Sequence, residues 1–233
     1  MISVMSLKIK GRRKIIEWVV ISLLAVIFLV FLIRVISFEN SYYNEKQGSE
    51  RSVGEVLSSS NEDLIEEKPS EKEVVEYIVS PDRPRYLSIS KLNIKDARVL
   101  PMSVNMKGEL DTPRNIFDVG WYESSGKPGQ GGTMIIDGHN GGPHIHGVFK
   151  DLPKLGKGDT IKIERGDGEI FRYSVVENVE VPLAEADQYM AIAAISPESG
   201  KESITLISCT GEWSQQQNTY LSRQFTRAVL VED

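Results

Sequence analysis

The chain has 233 residues, with 27 Lys and Arg against 33 Asp and Glu and a formal net charge of −6. This length allows one domain of ordinary size plus additional segments. The acidic balance argues against a nucleic-acid binder, because contact with a phosphate backbone needs a basic face. The single cysteine, Cys209, excludes a disulfide within one chain.

The first 36 residues are typical of a membrane anchor. Residues 15–36 are predicted as a transmembrane helix, because the apolar run at 15–33 has about the length that a helix needs to cross a bilayer core. Residues 1–14 are the basic flank, which predicts a cytoplasmic N-terminus and an extracellular remainder of the chain on a single-pass cell-membrane protein. The alternatives are a cleaved signal peptide, which usually has a shorter apolar region, and a buried core helix, which usually keeps a polar face.

Residues 37–84 are predicted as a flexible stalk. This segment is rich in Glu, Ser and Lys and poor in aromatic residues, so it cannot bury enough apolar surface to offset the entropy of ordering. Short helical turns are possible at 61–67 and 71–77. A Pro-containing stretch at 80–85 ends the stalk.

Residues 85–233 are predicted to form one mainly β domain. Short β-type segments recur between clusters of Gly, Pro, Asn and Asp, and residues 165–169 read as a hairpin turn. Many short strands with few helical patterns predict a sandwich or a barrel, and one helix at 184–195 is predicted to cover an end. The predicted strands are 86–89, 97–104, 132–137, 160–165, 170–181, 204–209 and 225–231.

Two motifs at predicted strand ends carry residues suited to catalysis. In the first, GTMIIDGHN at 132–140, an apolar strand runs into a polar turn that contains His139. In the second, SITLISCTG at 203–211, side chains alternate along a strand, so Thr205 and Cys209 share one face.

A third residue, Arg223, is predicted to join Cys209. The polar loop at 210–222 returns to the last strand, which places Arg223 at its start beside the end of the previous strand. A thiolate can attack an amide carbonyl, an imidazole can move protons to and from amines, and a guanidinium can hold a carbonyl oxygen with permanently charged donors. Arg227 lies on the same strand face and is the alternative to Arg223. Cys209 as a core thiol and His139 as a plain turn residue are the structural alternatives.

At these residues the sequence resembles the sortase family. The family's TLxTC motif is matched by Thr205-Leu-Ile-Ser-Cys209, with Ser208 in place of Thr, and its G-H turn by Gly138-His139. Its R-x-x-x-x-A stretch is matched at 223–228, and the resemblance covers nearly the whole predicted domain. Four further segments make the chain most similar to class F sortases: 86–94, 118–122, 141–149 and 148–159.

The resemblance implies a closed eight-stranded β-barrel with short helices, and a cysteine transpeptidase whose catalytic residues are Cys209, His139 and Arg223. It implies cleavage of an LPxTG-like sorting signal between Thr and Gly through a thioacyl-enzyme, and transfer to an amine. The expected partners are LPxTG-type surface proteins or pilins, a peptidoglycan precursor or other amine acceptor, and the membrane. No metal, organic cofactor or nucleic acid is implied. The candidate substrate-binding residues are Thr205, Ser208 and Asn140.

Other interpretations remain beside this one. His144 and His146 would share a face of a strand and could bind zinc, but no third ligand is evident. Asp137 and Asn140 flank His139 and could orient it, or could be ordinary turn residues. An L,D-transpeptidase is a second cysteine enzyme of cell walls, but Ser208-Cys209 lacks its preceding His-Gly. A non-catalytic surface-binding module on a stalk is the third possibility.

Overall fold

The computed structural model describes residues 64–104 and 110–231. The strands are β1 (Pro84–Ile89), β2 (Ile94–Met102), β3 (Val119–Tyr122), β4 (Thr133–Gly138), β5 (Thr160–Arg165), β6 (Ile170–Pro182), β7 (Ser203–Ser214) and β8 (Thr219–Leu230). The helices are α1 (Glu71–Val75) and α2 (Leu183–Ala193), with 3₁₀ turns at Ser90–Leu92 and Leu152–Lys154. The strands form a closed barrel in the order β1-β2-β3-β4-β7-β8-β6-β5. The predicted eight-stranded barrel is therefore confirmed.

Two strand pairs in the barrel are parallel, β2 with β3 and β4 with β7, and the others are antiparallel. In the β4–β7 pair, Thr133 lies opposite Ser203 and Asp137 lies opposite Ile207. Because parallel strands run in the same direction, their carboxyl ends meet at one edge of the barrel. That edge carries the ends of both predicted motifs.

The barrel interior takes one of the two faces of each strand. Its core includes Leu87, Ile163, Tyr173, Ile136 and Leu206, at most 1% exposed in each case. A second apolar cluster lies on the opposite, outward face of β4, β7 and β8, where α2 covers it; it contains Ile135, Val181, Ala193, Ile207 and Phe225. Residues Ser203 to Ser208 are therefore buried without alternation, because both faces of this part of β7 are covered.

The final hairpin is longer than the sequence predicts. The sequence predicts a loop at 210–222, but β7 continues to Ser214 and β8 starts at Thr219. Trp213 and Tyr220 lie opposite each other there, with ring centroids 5.1 Å apart in an edge-to-face arrangement. Such cross-strand aromatic pairs stabilise a hairpin, which outweighs the polar composition of the segment. The sequence does not predict β3. The helix predicted at 184–195 corresponds to α2.

The predicted anchor at 15–36 and the stalk residues 37–63 lie outside the described residues. From residue 64 onward the segment predicted as a stalk is hydrogen-bonded to the barrel domain. Ile65 N–H donates to the Arg114 carbonyl at 2.9 Å, and Ile116 N–H donates to the Ile65 carbonyl at 3.1 Å. Tyr77 donates from its hydroxyl to the Val99 carbonyl at 2.6 Å. Residues 64–67 are called the N-terminal strap below.

None of the helices in 64–104 and 110–231 is long and apolar enough to cross a bilayer.

Candidate active site

Cys209 and Arg223 lie directly opposite each other on β7 and β8. The register is interrupted between Thr210 and Trp213, immediately after the cysteine, and a bulge of this kind redirects side chains at many active sites. Cys209 is partly buried. Burial raises the pKa of its thiol, and the positive charge of Arg223 acts in the opposite direction by stabilising the thiolate.

His139 follows the last residue of β4, so the parallel register carries it to the same edge as Cys209. Asp137 lies opposite Ile207, so the same register two residues further along places His139 level with Cys209. The hydroxyl of Ser208 donates to the Gly138 carbonyl at 2.9 Å and ties the two strands together at that level. Gly138 is required by packing, since a Cβ at this position would lie 2.5 Å from the Phe149 ring.

The His139 ring is held by the loop that precedes β3. Its Nε2 lies 2.7 Å from the Pro113 carbonyl oxygen. A carbonyl only accepts, so Nε2 carries the hydrogen and donates it. Burial lowers the pKa of His139 more than this hydrogen bond raises it, so the imidazole is neutral at neutral pH. The free site therefore contains mostly an uncharged thiol and an uncharged imidazole.

The structure distinguishes the two candidate arginines. The Arg223 guanidinium donates to the carbonyls of Tyr220 and Ser222, both at 3.0 Å, which fixes it within the hairpin beside Cys209. Arg227 lies opposite Thr205 instead, four residues from the thiol along β7. Its guanidinium is buried and donates to Glu177 at 2.6 Å and to the carbonyls of Ile192 and Ile195 at 3.2 and 2.8 Å. Arg227 therefore holds the C-terminal end of α2, and Arg223 is the arginine at the cysteine.

The three predicted substrate-binding residues have structural partners. Thr205 is fully buried, and its hydroxyl donates to the Ala193 carbonyl at 2.7 Å. Ser208 is 4% exposed and bonded to Gly138. The Asn140 carbonyl accepts from Gly147 N–H at 2.8 Å. In this arrangement the Thr205 and Ser208 hydroxyls bond to the end of α2 and to the β4–β7 junction. Substrate binding by Thr205, Ser208 and Asn140 stays a prediction.

Asp137 is a further acidic residue on the outward face of β4, where Ile135 also lies. It is opposite Gly120 on β3 and Ile207 on β7. Burial raises the pKa of Asp137 to about 7, against a weaker opposing effect of its hydrogen bond with Thr112. When ionised, Asp137 raises the pKa of the Cys209 thiol. In the sequence Asp137 stands out only as a neighbour of His139 and as an acidic residue in an otherwise apolar strand. Its carboxyl lies against Gly120 on β3, where a Cβ would overlap with it.

His144, the first residue of the His-x-His pair, contacts the N-terminal strap. The Glu66 carboxylate accepts from the backbone N–H groups of His144 and Ile145 at 2.8 and 3.3 Å, and it lies 2.9 Å from His144 Nδ1. His146 forms an isolated bridge with Gly141. Within the described part of the chain, no group of three potential metal ligands occurs. The hairpin at 141–146, which follows His139, is thus fastened to the strap.

A family model of the sortase domain matches residues 87–231. The chain belongs to the sortase family. The predicted sortase enzyme is therefore confirmed, and the match spans the barrel from β1 to β8. No curated protein matches this sortase.

Among solved structures, this sortase is similar to a sortase D5 transpeptidase of Clostridium perfringens, with 22% identity, 71% of this chain and 91% of that chain covered, and a TM-score of 0.45. It is also similar to sortase C of Streptococcus pneumoniae, with 19% identity, 74% and 77% covered, and a TM-score of 0.46. A third similar structure is sortase A of Corynebacterium diphtheriae, with 22% identity, 66% of this chain and 63% of that chain covered, and a TM-score of 0.46.

Proposed function

We propose that this sortase cleaves an LPxTG-like sorting signal between Thr and Gly and transfers the new carboxyl end to an amine of the cell wall or of a pilin. The observation that carries the proposal is the strand register at one edge of the barrel. It places Cys209 between Arg223 on β8 and the end of β4, where His139 follows. A nucleophile, a proton carrier and a fixed cation on adjacent strand ends match the needs of acyl transfer.

The first half of the reaction forms a thioacyl-enzyme. The Cys209 thiolate attacks the Thr carbonyl carbon, and Arg223 stabilises the oxygen as negative charge develops on it. The bonds to Tyr220 and Ser222 hold the guanidinium in place and use only part of its five N–H groups. His139, after taking the thiol proton, gives a proton to the departing Gly amine.

In the second half an amine replaces the sulfur. The incoming nitrogen attacks the thioester carbon, the bond from carbon to sulfur breaks, and Cys209 leaves as a thiolate. His139 now acts as a base toward the attacking nitrogen. The products are a new amide and the free enzyme, so no metal or organic cofactor enters either half.

We further propose that the enzyme works at the outer face of the cell membrane, where its surface-protein or pilin substrates and peptidoglycan precursors meet. The apolar run at 15–33 and the basic residues before it support a single-pass anchor at 15–36 with a cytoplasmic N-terminus. Residues 85–233 would form the extracellular catalytic domain. The segments at 86–94, 118–122 and 141–159 support membership of class F.

The test uses full-length protein in detergent micelles, an LPxTG-type peptide and a short glycine peptide, with products followed by mass spectrometry. We expect a ligated product, which disappears in Cys209→Ala. Cleavage without ligation in the wild type would support the thioacyl chemistry but reject this acceptor. No cleavage across a library of sorting motifs by correctly folded protein would reject the proposal in favour of a surface-binding module.

A further inference from the structure

The N-terminal strap joins the two chain segments that flank the His139 ring. On one side, the strap residue Ile65 forms two main-chain hydrogen bonds with residues 114–116, at 2.9 and 3.1 Å. On the other side, the next residue, Glu66, accepts from two backbone N–H groups of the hairpin at 141–146, at 2.8 and 3.3 Å. Successive residues of the strap therefore connect two segments that are distant from each other in the chain.

His139 spans the same gap with its ring and its backbone. Its Nε2 donates to the carbonyl of Pro113 at 2.7 Å, and Pro113 lies directly before the segment that Ile65 holds. Its own carbonyl accepts from Phe149 N–H at 2.9 Å, shortly after the hairpin that Glu66 holds. The strap and the histidine are thus two parallel connections between the same pair of segments, so movement in one is felt by the other.

A third connection across this gap passes through Ile116. Its N–H donates to the Ile65 carbonyl, and its carbonyl accepts from Val148 N–H at 2.8 Å. The strap is fastened once more beside it, because the side chain of Asn115 donates to the Glu67 carbonyl at 3.0 Å. The strap therefore stabilises the main chain on which both hydrogen bonds of His139 depend.

The hairpin leaves room for the Glu66 carboxylate. Position 142 is a glycine, and a Cβ there would overlap with Glu66 Oε1. The carboxylate also lies 2.9 Å from His144 Nδ1, but the side chain of His144 is 82% exposed, so this pair is screened by solvent. The two backbone hydrogen bonds are therefore the stronger part of the contact, since a charged acceptor strengthens them.

The Pro113 carbonyl selects one tautomer of His139. A carbonyl only accepts, so Nε2 keeps its hydrogen, and Nδ1 keeps the lone pair that can take a proton. A ring that is released from this carbonyl is free to rotate and to exchange tautomers. Proton transfer needs the correct nitrogen within hydrogen-bond reach of the reacting atoms, so a released ring transfers protons more slowly.

We propose that the N-terminal strap is part of the catalytic site, with Glu66 as a positioning residue that holds His139 in its Nε2–H tautomer, an inference that rests on the proposed transpeptidase function. In acylation the Cys209 thiol proton passes to Nδ1, while Nε2–H stays on the Pro113 carbonyl. The thiolate attacks the Thr carbonyl carbon of the sorting signal. The bond from this carbon to the Gly nitrogen breaks, and the proton on Nδ1 goes to the departing amine.

The catalytic unit then extends beyond the barrel. The sortase domain match covers residues 87–231, which include the cysteine, the histidine and the arginine but not the strap. A protein that begins at residue 85 keeps all three catalytic residues and loses the connection that holds the histidine. The inference therefore concerns residues that the shared domain does not contain.

A purely structural role for the strap predicts different results. If Glu66 only stabilises the hairpin, Glu66→Ala lowers the melting temperature and leaves the tautomer of His139 and the acylation rate of the folded protein unchanged. Glu66→Gln keeps an oxygen acceptor for the two backbone N–H groups, so positioning by these bonds predicts that it restores most of the activity. Gly142→Ala breaks the same contact from the other side, because its Cβ displaces the carboxylate, and its backbone is outside the left-handed region.

The experiment uses the full-length protein in detergent micelles at pH 8. Single-turnover acylation by an LPxTG-type peptide over a range of concentrations gives the maximal rate and the apparent affinity. We expect Glu66→Ala and Gly142→Ala to be acylated about tenfold more slowly at saturating peptide, with the apparent affinity within about twofold of wild type. The matched control is Glu71→Ala, which removes an exposed carboxylate of α1 outside the strap and should behave like wild type.

A second measurement needs no substrate. Nitrogen-15 NMR of protein with labelled histidine reports the tautomer of each ring, and the His139 signal is identified by its loss in His139→Gln. We expect a single Nε2–H tautomer for His139 in wild type, in Glu66→Gln and in Glu71→Ala. A mixture of tautomers is expected in Glu66→Ala and in Gly142→Ala.

An unchanged His139 tautomer, or an unchanged maximal rate of acylation, in both Glu66→Ala and Gly142→Ala would overturn the inference. If Glu66→Ala does not fold, Gly142→Ala alone decides by the same two readouts. If correctly folded wild type cleaves no sorting peptide, the proposed function fails and the NMR measurement tests the strap separately. Mixed tautomers in the variants would then support the positioning of His139 by the strap, and a single tautomer would refute it.

Discussion

Arg223 and Arg227 lie on one face of β8, and replacing each with alanine should have opposite consequences. Arg223 faces the thiol, and its hydrogen bonds lie in the terminal hairpin. Arg227 is buried and holds the end of α2. Arg223→Ala should therefore lose catalysis and keep most of the stability, whereas Arg227→Ala should lose stability first.

The stability loss in Arg227→Ala follows from its three hydrogen bonds. The Glu177 side chain is 41% exposed, so its ion pair with Arg227 is screened and counts for little. The carbonyls of Ile192 and Ile195 lose a charged donor, at about 1.5 kcal/mol each. The sum, about 3 kcal/mol, corresponds to a decrease in melting temperature of about 6–12 °C for a domain of this size.

Arg223→Ala should lower the rate of acylation by about 10²–10³, the usual effect of removing a donor to a developing oxyanion. Its melting temperature should fall less than that of Arg227→Ala. Thermal denaturation followed by circular dichroism gives the melting temperature, and single-turnover acylation by a sorting peptide gives the acylation rate. Arg223→Lys tests whether an ammonium can replace the guanidinium, and we expect this variant to lose most of its activity. If Arg227→Ala is folded but cannot be acylated and Arg223→Ala remains active, then Arg227, and not Arg223, is the arginine that acts with the thiol.

Two other predictions concern the thiol and the strap. The rate of Cys209 alkylation by iodoacetamide should rise with pH, with a midpoint above the pH typical of a free thiol, because burial raises the pKa of Cys209. In Arg223→Ala this midpoint should be higher still, because the cation that stabilises the thiolate is removed. A lower midpoint in Arg223→Ala would contradict the stabilising effect of Arg223 on the thiolate. Glu66→Ala should speed amide hydrogen exchange in the hairpin at 141–146 by about fivefold or more, since the backbone bonds of His144 and Ile145 to this carboxylate are lost, at about 1 kcal/mol or above. Glu67→Ala is the neighbouring control, and equal exchange in both variants would mean that the strap does not hold the hairpin.

The sequence predicts the parts of the barrel in which local patterns and structure agree. The turn at 165–169 joins β5 to β6 as expected, because its glycines and aspartate suit a tight hairpin. β3 could not be found by alternation, since three of its four residues are buried and the strand has no solvent face. The packing of residues 64–83 also escaped prediction, because main-chain pairing with 114–116 leaves no mark in a charged, polar composition.

For the site, sequence motifs predict which residues meet but not what each hydroxyl binds. Cys209, His139 and Arg223 come to one barrel edge as their positions at strand ends suggest. The Thr205 and Ser208 hydroxyls donate to the carbonyls of Ala193 and Gly138, which are distant in the chain and which no strand pattern indicates. The separation of Arg223 from Arg227 likewise depends on where α2 ends, which no strand pattern contains.

The parallel pairing of β4 with β7 has a consequence for the polypeptide while it is still being synthesised. β4 ends at Gly138 and β7 begins at Ser203, and between them the chain must build β5, β6 and α2. β7 then needs β8 (Thr219–Leu230) as its second neighbour. Pairings between such distant segments form late in folding. A chain interrupted between Cys209 and Arg223 therefore carries the cysteine and the histidine without the arginine, and the three residues meet only once β8 has been added.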